Sequence, residues 1–510
     1  MIAAVQSAVL LGVAGHPVRV EVHVSSGLPG YHVVGLPDAA GRESRERVRA
    51  ALLSSGCAWP QRRITTNFAP AAIRKTGAGL ELAIALGIRL AGGDLPPGCL
   101  DRVGVLGELG LDGSIRRVPG VLVLLEALRQ AGATRAVIPA EQAAEAHLAG
   151  DLRVHPARSL AELHACLAGG EPWPGPPSPE IAGSDGFGST DDGADVADAP
   201  GDLADVRGLP TARRALAVAA AGRHHLLLAG PPGTGKTMLA RRLAGILPDL
   251  DADAAAEVTR IHSVLARSAP TRLVRRPPLR APHHSTSVAA LVGGGSQRVR
   301  GGEVTLAHRG VLFLDELGEF PPRALDALRQ PLEERVVRIA RQVTAVELPA
   351  DVLLVACTNP CPCARSPQRC VCSEQQRLRY RRRLSLALLD RFDLRVLVTG
   401  AGASEPPGEC TAAVRARVEA AVERQRRRFA GTPWRANGEV PGGAVERLVP
   451  LRDDAADAWR EATALGDLSG RGAVAVRRVA RTLADLDDRD VVSAADVLLA
   501  VSLRSEEVVG

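Results

Sequence analysis

Aromatic side chains are scarce in this chain: six Phe, two Tyr and four Trp among 510 residues. Ala, Val and Leu must therefore fill most of the core. Lysine is scarce as well, and arginine carries nearly all the positive charge. With abundant Ala and Gly, this reads as coding bias and excludes no function. Long apolar runs are missing: none approaches the roughly 18 residues that a bilayer-spanning helix needs, which argues against a membrane-embedded protein. The opening stretch MIAAVQSAVLLGVAGHPVRV lacks the basic start of a signal peptide. It runs on into the alternating VRVEVHV and is read as strand. Nine cysteines, an odd number with most of them crowded together, argue against a secreted disulfide framework. A cytoplasmic location is the expectation. A strong charge imbalance is absent too: a net charge of +6 permits a polyanionic partner without requiring one.

What is present is enough apolar residue, 46%, to build sizeable cores, and length for about three domains. One boundary is plain. From Glu171 to Val206 there is no Lys or Arg, but there are seven Asp and two Glu among Pro, Gly and Ser. Residues 169–201 are expected to be a flexible acidic linker. Residues 1–168, before it, mix strand-like alternation (VRVEVHV, RITTNFAP, TRAVIP) with helix-like runs (AAGRESRERVRAALLSSG, LELAIALGIRLAGG, EQAAEAHLAG), which implies an α+β unit. Residues 202–400 alternate short apolar strands with helices, DALRQPLEE among them, which implies α/β architecture with a parallel sheet. Residues 401–510 read almost wholly as helix.

The strongest motif is GPPGTGKT, Gly230, Pro231, Pro232, Gly233, Thr234, Gly235, Lys236 and Thr237. It follows the apolar HLLLAG and opens the helical MLARRLAGIL, which is the setting a phosphate loop needs. Its glycines let backbone N–H groups face phosphates at the positive end of a helix. Lys236 reaches the β/γ phosphates of ATP, and the Thr237 hydroxyl is placed for Mg²⁺. In GVLFLDEL a buried strand delivers Asp315, a second Mg²⁺ ligand, and Glu316, which can polarise a water. The strand DVLLVACTN ends in Asn359, suited to orienting that water, and LLDRF offers Arg391 for transition-state charge.

The order of these motifs resembles the AAA+ ATPases, in particular their magnesium-chelatase-like branch and within it the ComM/YifB group, associated with natural competence. RAPHHSTSVAALVGGGS, GEVTLAHRGVLFLDELGEFP, TNPCPC and RRLSLALLDRFDLRV carry the resemblance, which covers nearly the whole chain outside the linker. It implies an AAA+ P-loop core with a helical lid domain, assembled as a homo-hexamer in which Arg391 acts in trans as the arginine finger. It implies Asn359 as sensor 1 and Arg471, in LSGRGAVAVRR, as the sensor-2 arginine. RAPHHSTSVAALVGGGS resembles the insert in helix 2, and VVRIARQVTAVELP the hairpin before sensor 1; both face the pore in related rings. The first domain resembles the Lon-protease-like (ribosomal S5 domain 2-like) fold. There Gly79 stands where the nucleophilic serine would be and Leu122 where the lysine would be, so peptidase chemistry is not expected. Lys75 in the same loop is read as a surface residue.

Five cysteines fall within residues 356–376. Cys361-x-Cys363 and Cys370-x-Cys372 form two close pairs that a Zn²⁺ would hold as four thiolates; a redox pair or free thiols are the alternatives. Cys357 is expected to be buried. His283 and His284 are expected to point in different directions, without a third metal ligand, as a pore or DNA contact. RLRYRRR, Arg377 to Arg383, is either a phosphate contact or a solvated helix face. The functional expectation is a DNA helicase or branch-migration motor. The rivals are a chelatase-type motor subunit for porphyrin metallation and a protein remodeller.

Overall fold

The computed structural model describes residues 1–35, 38–71, 77–169, 173, 201–295, 300–340, 346–363, 365, 370–399, 405–464 and 468–504. Lys75 and nearly all of the acidic stretch lie outside them. The chain forms two compact units: Met1–Asp192 with Ala255–Val274, and Gly193–Ala254 with Arg275–Gly510.

The first unit is built on a seven-stranded sheet. Its order is Gly30–Val34, Arg63–Ala69, Ala14–Ser25, Ile2–Leu11, Val103–Val105, Arg135–Pro139 and Arg153–Ala157. Ile2–Leu11 and Ala14–Ser25 pair antiparallel along their whole length, so the N-terminal stretch is strand as expected. Val18, Val20, Val22 and Val24 alternate into the core, as a period of two demands. The helix Glu81–Gly92 presses hard on this face. A Cβ added to Gly87 would lie 2.6 Å from the Val22 side chain. Leu122, on the helix Val121–Gln130, is 2% exposed and packs with Ala8, Leu106 and Val118. An apolar core contact thus fills the position that the Lon likeness assigns to lysine.

EQAAEAHLAG is not one helix. It breaks into the 3-10 turn Ala140–Gln142, the short helix Ala143–Ala146 and the 3-10 turn His147–Ala149. The Gln142 amide both accepts from Val118 N–H (2.8 Å) and donates to its C=O (2.9 Å), which fixes the break. Residues 255–274, which lie between the phosphate-loop helix and the insert in sequence, belong to this unit. Arg260 pairs with Glu126 at 3.0 Å, Ser263 Oγ donates to Glu145 at 2.5 Å, and Gly120 N–H donates to Ser263 C=O at 2.9 Å. Burial pushes the Glu145 carboxyl up.

The second unit holds a five-stranded, all-parallel sheet in the order Leu279–Arg280, Val311–Leu314, Leu353–Thr358, Leu226–Ala229 and Leu394–Leu397. The central strands are buried along their length and so are apolar throughout. The C-terminal part is helical. Gly470–Leu486 packs against Thr411–Arg428, Ala494–Ser502 and the alanine-rich Pro210–Gly222. DALRQPLEE is split into Pro322–Ala327 and Arg329–Glu334. Pro331, which has no N–H to give, is accommodated in the first turn of the second piece. The stretch before the Asn359 strand forms the expected hairpin, Val336–Ile339 against Val346–Pro349, its turn at 341–345 lying outside the described residues.

Candidate active site

The parallel register brings three strand ends together. Ala229 lies opposite Thr358, and Leu314 opposite Ala356. Gly230, Asn359 and Asp315 therefore emerge side by side at the carboxyl edge of the sheet, where open α/β sheets bind ligands. The loop from Gly230 turns through Gly233 (φ 78°) and Gly235 (φ 89°), both left-handed, before the helix Lys236–Ile246 begins. Gly230 passes so close to the last strand that a Cβ would lie 2.1 Å from Val398 O.

Lys236 is 7% exposed. Its ammonium donates to the carbonyls of Gly230 (2.6 Å) and Pro231 (2.7 Å) and to Asn359 Oδ1 (3.3 Å). Burial lowers its pKa, opposed by Cys357 and Asp315. The buried Cys357 thiol is pushed well above its ordinary value by the same desolvation. Thr237 Oγ1 donates to Asp315 Oδ2 at 2.9 Å, so the two expected Mg²⁺ ligands already meet. Glu316 sits at φ 53°, a left-handed conformation costly for a side chain with a Cβ, and is half-exposed. Thr234 closes the loop by donating to Pro231 C=O at 2.9 Å.

The histidines differ from expectation. Their rings lie side by side, centroids 4.0 Å apart and tilted by 35°. His283 Nδ1 bonds Ser285 Oγ at 2.8 Å, whereas His284 Nδ1 lies 3.3 Å from Glu316 Oε2. The strand Leu279–Arg280 runs beside the Val311–Leu314 strand, so the loop after one meets the acids after the other.

Arg391 and Arg471 meet each other's partner instead of the phosphate loop. Arg391 donates to Ala387 C=O (2.7 Å) and to Glu333 Oε2 (2.5 Å), and Arg471 donates to Glu333 Oε1 (3.0 Å). All three line a cavity of about 440 Å³ that also receives Asp351. Asp351 is buried between Arg309 (2.8 Å), Arg223 (3.0 Å) and Arg335 (3.9 Å). Those guanidinium groups hold its carboxyl far below the usual range against the cost of burial.

The four cysteines converge. Cys361 Sγ lies 3.3 Å from Cys363 and 3.6 Å from Cys370, Cys363 and Cys370 are 3.8 Å apart, and all four sulfurs fall within 4.8 Å of one another. None is in a disulfide. A tetrahedron with Zn–S bonds of about 2.3 Å has edges of about 3.8 Å, so the donor set fits zinc. The helix Glu374–Arg381 that follows is started by a Ser373–Gln376 capping box. Its Tyr380 is buried against Gly318 and bonded to Thr358 and the Asn359 backbone, and Arg383 donates to Gly318 C=O at 3.0 Å. Part of the arginine run is thus a clamp on the turn after Glu316. Glu333, Asp351 and Tyr380 were not singled out from sequence. No local motif marks them, because each takes its meaning from residues far away in the chain.

The magnesium chelatase subunit ChlI profile matches residues 202–405, the profile of subunit ChlI of Mg-chelatase matches 20–142, and the ChlI C-terminal profile matches 408–504. Similarity to individual proteins runs end to end. The Competence protein ComM of Haemophilus influenzae is 38% identical over 491 residues, covering 95% of this chain and 94% of that protein. The chain belongs to the ComM/YifB family. An uncharacterized Mycobacterium tuberculosis protein is 44% identical over 503 residues, covering 98% of this chain and 97% of that protein. YifB of Escherichia coli, also uncharacterized, is 38% identical over 503 residues, covering 97% and 95%. The magnesium-chelatase-like AAA+ architecture of this family matches the parallel sheet and helical C-terminal part described above. Among the described residues no helix is long and apolar enough to cross a membrane.

Proposed function

We propose that this chain is an ATP-hydrolysing motor that assembles into a ring, taken to be a homo-hexamer, and acts on DNA. The observation that carries the ATPase reading is the convergence of Lys236, Thr237, Asp315, Glu316 and Asn359 at one sheet edge. In this reading Lys236 and the loop N–H groups bind the phosphates. Thr237 and Asp315 would hold the Mg²⁺ that accompanies ATP and offsets its charge. Glu316 takes the proton of the attacking water, and Asn359 orients it. Arg391 and Arg471 share one carboxylate, and no described hydrogen bond or ion pair joins either to these groups. That supports both arginines serving a neighbouring subunit's nucleotide, with the ring as the complete enzyme.

DNA as the substrate is supported by the competence role in the name of the Haemophilus relative and by the net positive charge. Turnover measured with single-stranded, duplex and branched DNA tests it. Stimulation by one DNA form is expected, and equal rates with and without every form would remove DNA from the proposal. Cys361, Cys363, Cys370 and Cys372 are proposed to hold a structural Zn²⁺ that braces the loop between Asn359 and the Tyr380 helix. The first unit is proposed to lack peptidase activity, since Gly79 and Leu122 supply neither nucleophile nor base. The chelatase reading draws only on the name of the family profiles, and it predicts stimulation by porphyrin partners in place of DNA.

A further inference from the structure

Two of the carboxylates that hold arginines in the second unit, Asp351 and Glu333, differ in one respect. Asp351 is 7% exposed and is held by three guanidinium groups at 2.8, 3.0 and 3.9 Å. The Glu333 side chain is 55% exposed. It gives one oxygen to Arg391 and the other to Arg471. Arg471 is 53% exposed and Arg391 only 9%, so solvent reaches the carboxylate and its Arg471 side while Arg391 stays largely covered, and the anion can exchange from the exposed side. The two guanidinium groups on two oxygens of one planar anion have the arrangement that arginines adopt on two oxygens of a phosphoryl group. Burial and the neighbouring charges of Arg471 and Arg329 disfavour the Arg391 cation, and Glu333 opposes them. Two guanidinium groups held this close favour an anion between them.

We propose that Glu333 is a displaceable counter-ion: it occupies the Arg391–Arg471 pair in the unassembled subunit and yields it to the phosphates of a nucleotide bound to the adjacent copy of this chain. The inference rests on the reading that both arginines act across a subunit boundary. It adds that nucleotide binding and assembly compete with an internal carboxylate. Each subunit then hides its two arginines from free anions until a neighbour loaded with ATP displaces Glu333.

The test uses the full chain and ATP. Turnover is followed over ATP and protein concentration for wild type, Glu333→Gln, Glu333→Asp and Arg391→Ala. Removing the competing charge should lower the ATP concentration at half-maximal rate, and the protein concentration at half-maximal assembly, by about three- to tenfold. The maximal rate should not fall. Glu333→Asp keeps the charge and should stay near wild type in both. A Glu333→Gln protein with reduced maximal rate and unchanged KM would overturn the proposal, because Glu333 would then orient Arg391. Unchanged KM and assembly would overturn it as well. Thermal unfolding like that of wild type excludes a folding defect, and Glu333→Ser replaces Glu333→Gln if that variant is unstable. If Arg391→Ala retains full turnover, the reading of the arginines fails instead, and the two failures are told apart.

Discussion

Mixing a Glu316→Gln chain with an Arg391→Ala chain should restore activity that neither possesses. Arg391 contacts Ala387 C=O and Glu333, and no described hydrogen bond or ion pair ties it to Lys236, Thr237, Asp315, Glu316 or Asn359. If it serves the adjacent subunit, each working site takes Glu316 from one chain and Arg391 from the next. Every boundary in a cyclic ring is of this head-to-tail kind. In a random equal mixture the chance that both contributors are intact is about one quarter, whatever the ring size. Loss of the arginine costs about 10³–10⁵ in rate, and loss of the base about 10²–10⁴. The separate variants should therefore be nearly silent, while the mixture turns over at about one quarter of the wild-type rate per chain. Steady-state phosphate release against mole fraction should trace a parabola with its maximum at equal amounts. A mixture no more active than the sum of its components, with mixed assemblies demonstrated by co-purification of differently tagged chains, would refute the reasoning.

Metal analysis of protein purified without chelator should give about one zinc per chain, and Cys370→Ala should lose it with a fall in thermal stability and turnover but not in ATP affinity; a metal-free, fully active preparation would end the zinc reading. Asp351→Asn should cost about 1–3 kcal/mol of stability, measured by denaturant unfolding, because Arg309 loses this carboxylate while Arg223 and Arg335 keep Glu439. Since the folded-state carboxyl is lowered, its contribution is full above the unfolded pKa near 4 and fades as pH falls below it, so the variant and wild type should converge in stability towards acid; a constant gap would count against it. His284→Ala should raise basal turnover by about two- to fivefold, if the His284 contact restrains Glu316; a fall would show that His284 positions Glu316 productively.

Elements whose cause is local were legible in the sequence. The valine alternation gave Ala14–Ser25, the apolar runs gave the buried central strands, GPPGTGKT gave the glycine turn that opens the helix Lys236–Ile246, and GVLFLDEL gave the strand end that brings Asp315 to Thr237. A further signal lay unused in composition. The chain has only two lysines, Lys75 and Lys236. A sequence that uses arginine at almost every cationic position yet keeps lysine at 236 needs a compact ammonium there, able to reach three oxygens at once. Contacts made across long separations were illegible. Arg471 and Glu333 are 138 residues apart, and nothing near either specifies the other. The direction of His284 depended on strand order, since only the pairing of Leu279–Arg280 with Val311–Leu314 brings it to Glu316. Helix breaks at Gln142 and at Leu328, three residues before Pro331, escaped periodicity because a side-chain bond to distant backbone, and a missing N–H, overrode it.

The assignment of residues 255–274 to the first unit bears on how this protein can be cut. The chain enters the second unit after Asp192, returns for twenty residues, and leaves again at Arg275. Backbone therefore passes between the units three times. A protease nick in the acidic stretch severs only one of the three ties, so the fragments should stay together on a sizing column and separate only in denaturant. Expressing residues 202–510 alone would strip Ser263 of Glu145 and Gly120 and Arg260 of Glu126, in a segment whose Val258 and Ile261 are buried in the full chain. Such a fragment should be sticky in spite of carrying the whole of Gly230 to Thr237, whereas deleting 255–274 along with the first unit, and bridging the gap with a short polar linker, should yield a better-behaved one.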